Sequence, residues 1–400
     1  MPNGQPKSGG NIVENARGIS REEFQARQAR TRELAAEVGY AGVMVIGRAF
    51  YDRTGALAYL TNHFPPFPAT EFDGVTRGLG HGVLVLPVEG RATLVVDGGY
   101  YREDLIVADE VRVASDLPAG TAAVLGDLGL ASAQVALVGE DILPLTFFGE
   151  LLDETPDLDL CADERLVAQQ RLLKSPAEQS LLRRAAEIAG VGLQAALETI
   201  QPGVTERHVC AAGTAAALAA GADFVRYLRV HSGPWSAWPS RWPQATDRVL
   251  EPGDIVTLDI IGAYQGYGFD VLRTTVCGDA RPATRELLET ALLATEWTVD
   301  AAQAGAIVES VHQAACEVIE KAGFGDHLPG LVGHGIGLET VEGPQLRPGV
   351  ETRLEPGMVL CIEPGIFIRN LGGACVEQEV IVAESGPPEL ITPFRARLWR

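Results

Sequence analysis

Residues 254–270 decide how this chain is read: Asp254-Ile255-Val256-Thr257-Leu258-Asp259-Ile260-Ile261-Gly262-Ala263-Tyr264-Gln265-Gly266-Tyr267-Gly268-Phe269-Asp270. The first half has the continuous apolar pattern of a buried strand, yet Asp259 sits in its middle, where an unpaired carboxylate costs several kcal/mol. A tight turn at Tyr264-Gln265 folds the strand back and sets Asp259 directly opposite Asp270. Like charges facing each other across a ladder are destabilising, so the arrangement makes sense when a cation lies between them. Tyr-Gln is not a favoured two-residue hairpin turn, which makes this register an expectation and not a deduction.

The same irregularity recurs near the C-terminus. Met358-Val359-Leu360-Cys361-Ile362-Glu363 is an apolar strand that ends in a carboxylate before Pro364-Gly365, and Cys375-Val376-Glu377-Gln378-Glu379-Val380-Ile381-Val382 is a second strand carrying Glu377. Asn370-Leu371-Gly372-Gly373 supplies turn residues between them. In Leu331-Val332-Gly333-His334-Gly335-Ile336-Gly337-Leu338, small residues on both sides of His334 let the backbone pack closely around it. His334 is the natural nitrogen ligand to complete a carboxylate set.

In order and separation, Asp259, Asp270, His334, Glu363 and Glu377 resemble the five metal ligands of the M24 metallopeptidases. Asp270-Val271-Leu272-Arg273-Thr274, Gly333 to Glu339, Glu363-Pro364-Gly365 and Leu173-Lys174-Ser175-Pro176-Ala177-Glu178 are similar to motifs of the Xaa-Pro dipeptidase, Xaa-Pro aminopeptidase and creatinase branch. The resemblance spans residues 166–400. It implies an α+β pita-bread catalytic domain, preceded by a smaller α/β domain that matches the branch in size and strand order. It also implies that Asp270 and Glu377 bridge two ions, that Asp259 serves one of them and that His334 and Glu363 serve the other, with Glu363 and His334 as catalytic residues. Four carboxylates and one imidazole suit hard or borderline divalent ions, Mn²⁺ or Co²⁺ first, with Fe²⁺ or Zn²⁺ as alternatives. Two such ions acidify a water and polarise a scissile carbonyl. The implied activity is hydrolysis of a short peptide or amide.

Two positions depart from the family pattern. Its peptidases place one histidine after the S-G-x-x-x-A-x-P stretch and another after G-I-G-L, where this chain has Ser240 and Val341. Loss of such donors costs on the order of 10²–10³ in rate, so a non-peptidase on the same scaffold, a lyase or a small-molecule amidohydrolase, is the alternative reading. His231 lies close in sequence to offer an imidazole. Trp235, Trp238, Arg241 and Trp242 form either a packed loop or dimer contact, or an aromatic wall with a guanidinium for a cationic or carboxylate-bearing substrate. His208, His312 and His327 read as structural. His63 and His81 are candidates to reach the pocket of a partner subunit.

Around these motifs the chain organises into a polar tail (1–18), an α/β unit (19–165) and the larger unit (166–400). Ser20 with Glu23 predicts a capping box at the first helix, and Ser175 with Pro176 predicts the start of a long one. The 400 residues are ample for two or three domains. The formal charge of −21 repels phosphate backbones and anionic lipid, which argues against nucleic-acid or membrane binding. Six scattered cysteines without a C-x-x-C pair read as reduced thiols. Together these point to a cytoplasmic protein, expected from the resemblance to be a homodimer, acting on a small peptide or other small molecule.

Overall fold

A computed structural model describes residues 18–49, 53–66, 80–98 and 101–399; the tail expected at 1–18 lies outside them except for Gly18, whose N–H donates to Gln265 at 2.9 Å. The N-terminal unit comprises α1 (Arg21–Val38), β1 (Gly42–Arg48), α2 (Gly55–Thr61), β2 (His81–Pro87), β3 (Thr93–Asp97), β4 (Glu110–Ala114), α3 (Leu117–Asp127), β5 (Gln134–Val138), α4 (Leu145–Glu154) and β6 (Asp159–Ala162). Its six strands form one mixed sheet in the order β4-β3-β2-β1-β5-β6. The period-2 alternation of a strand explains why both faces are covered: Val43 and Val45 face Leu57 and Leu60 of α2, while Met44 and Ile46 face Leu117 of α3 and Phe147 of α4. At α1 the Ser20 hydroxyl accepts from the Glu23 N–H, as expected. The Glu23 carboxylate pairs with Arg27.

α5 (Arg165–Leu172) buries Leu166 and Val167 in the N-terminal core. α6 (Pro176–Glu198) then starts at Ser175 with a complete capping box, reciprocal with Glu178. α6 and α7 (Glu206–Ala219) cover an antiparallel three-stranded sheet of β7 (Phe224–Ser232), β8 (Ile255–Tyr264) and β9 (Tyr267–Val276). α8 (Pro282–Ala301) and α9 (Val308–Lys321) pack against the remaining strands. These are β10 (Gly333–Gly335), β11 (Glu342–Gln345), β12 (Val359–Ile362), β13 (Ile366–Ile368), β14 (Gly372–Ala374), β15 (Gln378–Ile381) and β16 (Glu389–Leu390). β11-β10-β12-β15-β16 make a second sheet, and β13-β14 form a separate hairpin beside it. The C-terminal unit is therefore α+β, with two helix-backed sheets whose inner faces meet. No helix among the described residues is long and apolar enough to cross a membrane.

The decisive hairpin has a different register from the one expected. β8 and β9 pair Ile261 with Asp270 and Asp259 with Leu272, around a two-residue turn at Gln265-Gly266. Both turn residues have positive φ, 49° and 82°, the requirement of the hairpin turn whose twist matches its strands. Gly266, not Tyr264, is the residue that selects the turn. Because the shift moves Asp259's partner by two residues, it preserves the face on which each side chain lies. The two aspartates are diagonal neighbours instead of direct partners, and they still share one side of the sheet.

Two glutamates anchor the chain that follows β10, one of them to the N-terminal unit. The Gly55 N–H at the start of α2 donates to Glu339 Oε1 at 3.0 Å. Three residues on, Glu342 pairs with Arg171 and, at 3.2 Å, with Lys174. Burial alone would raise the Glu342 carboxyl, but the two cations overcome it and hold it at about 2, below the ordinary 4.5. A carboxyl lowered in the folded state contributes stability that is fully present above its unfolded value and is lost as pH falls. Glu342→Gln leaves two buried cations short of a partner, which costs about 3–5 kcal/mol. Urea unfolding should show that deficit in full at pH 6 and show it shrinking between pH 4.5 and 2.

Candidate metal centre

Five ligand-type side chains converge between the two sheets. Asp259 comes from the middle of β8, Asp270 from β9 and His334 from the centre of β10; Glu363 follows β12, and Glu377 precedes β15. Close backbone approach explains the glycines around the histidine. His334 pairs with Cys361 of β12, and a Cβ at Gly333 would collide with the Cys361 carbonyl, as one at Gly335 would with the Gly343 carbonyl. His334 Nδ1 lies 3.0 Å from the Gly335 carbonyl. A carbonyl can only accept, so Nδ1 carries a proton, and in the neutral ring Nε2 is the nitrogen left with a lone pair. Nε2 lies 3.4 Å from Glu363 Oε1 and 3.7 Å from Asp270 Oδ2.

The electrostatics are those of a cluster short of positive charge. Asp259, Asp270, His334 and Glu377 are all buried. Burial, and then the neighbouring acids, push Asp270 and Glu377 well above the usual carboxylate range. Asp259 is raised by burial and by Glu363, with Arg229 opposing. At His334 burial favours the neutral ring, but Glu363 outweighs it and the net shift is upward. Glu377 Oε2 accepts the Leu272 N–H at 2.7 Å, whereas its Oε1 is buried without a hydrogen-bond partner. Donor atoms of Asp259, Asp270 and Glu377 lie within 4.8 Å of one another, and so do those of His334, Cys361 and Glu377. Two ligand groups thus share Glu377, which fits a pair of divalent ions. Glu363 suits the second group better than Cys361, whose buried thiol is pushed far up and stays protonated.

A cleft of about 660 Å³ opens onto the cluster. Ser240 and Val341 line it, as do Arg226, Tyr227, Arg229 and His327. Trp235, Trp238, Arg241 and His231 do not, so the aromatic wall expected from the sequence is not assembled there. Trp235 instead stacks on Arg241, with the guanidinium carbon 4.8 Å from the ring centre, and Trp238 stacks on Arg369 at the same distance. Arg241 also reaches the buried Glu206 at 3.3 Å. His231 is sealed beneath this loop, and burial followed by the charge of Arg241 holds its pKa at about 4. His63 and His81 are buried in the N-terminal unit, and neither lines the cleft. His312 contacts the Pro329 carbonyl at 3.0 Å, a structural role.

Four contributors were not singled out from the sequence. His327, read as structural, lines the cleft. Glu379 is buried, accepts the Asp270 N–H at 2.8 Å, and is raised by burial to about 8. Arg226 is the extra residue of a β-bulge in β7, the kind of irregularity that re-aims a side chain beside a site. Arg229 pairs with Asp259 at 2.7 Å. The alternation Leu228-Arg229-Val230 already put Arg229 on the face away from the core, but its partner follows only from the β7–β8 register.

A cleft with a shared carboxylate–imidazole cluster at its floor, set between two helix-backed antiparallel sheets, is the architecture of a metal-dependent hydrolase. The profile of Metallopeptidase family M24 matches residues 180–384, and the chain belongs to that family. It is 35% identical over 234 residues to a Xaa-Pro dipeptidase of Pyrococcus furiosus, covering 58% of this chain and 67% of that one. It is 30% identical over 380 residues to the probable dipeptidase PepE of Mycobacterium bovis, covering 93% and 95%. The solved Xaa-Pro dipeptidase from Bacillus anthracis superposes with a TM-score of 0.80 at 28% identity, covering 94% of this chain and 99% of that one.

The raised carboxyls set an unusual pH dependence for the metal-free protein. A carboxyl raised in the folded state binds a proton that the unfolded chain has released, so stability falls as pH rises through the window between the two values. For Glu379 that window runs from 4.5 to about 8. His231 works in the opposite sense, but only between 6.5 and about 4. Chelator-treated protein should therefore gain urea resistance as pH falls from 8 to 6.5. A flat or rising profile with pH over that interval would refute this account of the cluster.

Proposed function

We propose that this chain is a dinuclear metallopeptidase that hydrolyses short peptides, with Xaa-Pro dipeptides as its substrate class. Asp259, Asp270, His334, Glu363 and Glu377 hold the two ions, for which Mn²⁺ or Co²⁺ suits the donor set best. The observation that carries the reading is the sharing of Glu377 by two buried ligand groups, with one of its oxygens left without any protein partner. Buried acids of this kind destabilise a fold unless a cation compensates them. The substrate class draws on the relatives' names, Xaa-Pro dipeptidase and dipeptidase.

When bound, the ion pair supplies Lewis acidity and an acidified water. The remaining work falls to the chain's own groups. Glu363 is the most solvent-accessible of the ligands, its side chain 27% exposed, and is placed to hold the proton in transit from the attacking water to the leaving amine. Among the cleft's other donors are Arg226, Tyr227, His327 and Ser240, which would orient the peptide in the absence of the two family histidines. The cytoplasmic assignment is supported by six free cysteines, since thiols persist in a reducing compartment. The homodimer rests on the family resemblance alone.

The deciding experiment is turnover of Xaa-Pro dipeptides, other dipeptides and small non-peptide amides with Mn²⁺, Co²⁺, Fe²⁺ and Zn²⁺. Expected is cleavage of Xaa-Pro bonds that is abolished by chelation and restored by Mn²⁺ or Co²⁺. Asp270→Asn should lose activity by at least about 10²-fold, the scale for removing one transition-state contact, together with bound metal. Turnover confined to the non-peptide amides would favour the amidohydrolase alternative that Ser240 and Val341 suggest.

A further inference from the structure

Among the described residues, Arg229 is the only lysine or arginine that forms an ion pair with any of Asp259, Asp270, Glu363 or Glu377. It is the cross-strand partner of Asp259, and its Nη1 donates to Asp259 Oδ2 at 2.7 Å. The guanidinium is also held from a second direction. Its central carbon lies 4.1 Å from the ring centre of Tyr227, two residues away on the same face of β7, while Leu228 and Val230 between and beyond them enter the core. Stacking on a ring and donating in the plane of the fork are geometries that a lysine ammonium cannot combine. The side chain is 21% exposed and that of Asp259 8%, so the pair is shielded from the solvent screening that makes surface pairs weak.

A ligating carboxylate has to be aimed, and groups that hydrogen-bond a ligand from behind typically contribute 10- to 100-fold in metal affinity. We propose that Arg229 is the positioning residue for Asp259: clamped between the Tyr227 ring and Oδ2, it fixes the carboxylate so that the Asp259 half of the cluster is formed before any ion arrives. This inference rests on the dinuclear reading above. Arg229 serves one half only, because among the described residues no lysine or arginine forms an ion pair with Glu363. The guanidinium's own charge opposes a nearby ion. Orientation of the carboxylate outweighs this repulsion.

The test is Mn²⁺ titration of the metal-free full-length chain by calorimetry, with Mn²⁺ per chain counted after gel filtration and the melting temperature of the metal-free protein recorded alongside. The expected result is two equivalents in the wild type. In Arg229→Met one equivalent should weaken about 10- to 100-fold while the other is unchanged, and Arg229→Lys should recover part of the loss. Unchanged or tighter binding of both equivalents in Arg229→Met would overturn the proposal, since repulsion or no coupling would then dominate. Weakening of both equivalents together with a collapsed metal-free melting temperature would also overturn it, as a general structural role. A wild-type chain that takes up no Mn²⁺ refutes the dinuclear reading itself, and this inference with it.

Discussion

Three carboxylates with oxygens within 4.8 Å of one another, and a fourth beside them, repel each other inside a protein where most of their water is gone. Everything about the C-terminal half of this molecule is arranged around that cost. The acids do not sit on flexible loops that could splay apart. They project from β8 and β9, or lie at the ends of β12 and β15, and apolar strands backed by helix pairs hold them in place. Such a cluster is tolerable only with compensating positive charge, and the described residues supply a single lysine or arginine ion pair to it, Arg229 on Asp259, with the His334 imidazole nearby. The shortfall is what makes a pair of divalent cations the natural occupants.

Precision in the cluster depends on contacts made by backbone. β10 is three residues long, yet the glycines flanking His334 let it run against carbonyls of β12 and β11, closer than any side chain would allow. The Gly335 carbonyl then fixes the tautomer of the ring. The loop that follows, with Thr340 and Val341 at the cleft, is anchored by Glu339 to the start of α2 and by Glu342 to Arg171 and Lys174. The N-terminal unit therefore does more than ride on the catalytic half: through the Gly55 N–H on Glu339 it holds one wall of the cleft.

Much of this was legible in the linear chain, and particular residues show why. A polar residue inside a fully apolar strand is costly, so Asp259 announced itself, as did His334 between glycines. Caps are local, so Ser20 and Ser175 were placed without tertiary information, whereas the Glu23 half of the first capping box was lost to Arg27, a competitor one helical turn away. The hairpin turns at Gln265-Gly266 and not at Tyr264-Gln265, because the turn is chosen by the residue that tolerates positive φ, Gly266. An error of two residues still kept Asp259 and Asp270 on one face. The Trp235–Trp238 loop was compatible with a substrate wall by composition, but each ring had an arginine within reach that only folding could bring there.

What the sequence by itself determined is the identity and order of the five ligand-type residues and the alternation that turns Asp259 and Asp270 to one face, because strand periodicity and the cost of burying charge are local properties. Tertiary structure alone decided which groups surround that set. Arg229 becomes the partner of Asp259 through the β7–β8 register, Arg226 turns toward the cleft through a bulge, and Glu379 comes to rest behind Asp270 through the packing of β15 against β9. Those placements arise from contacts between residues distant in the chain, and no pattern along the sequence encodes a distance in space.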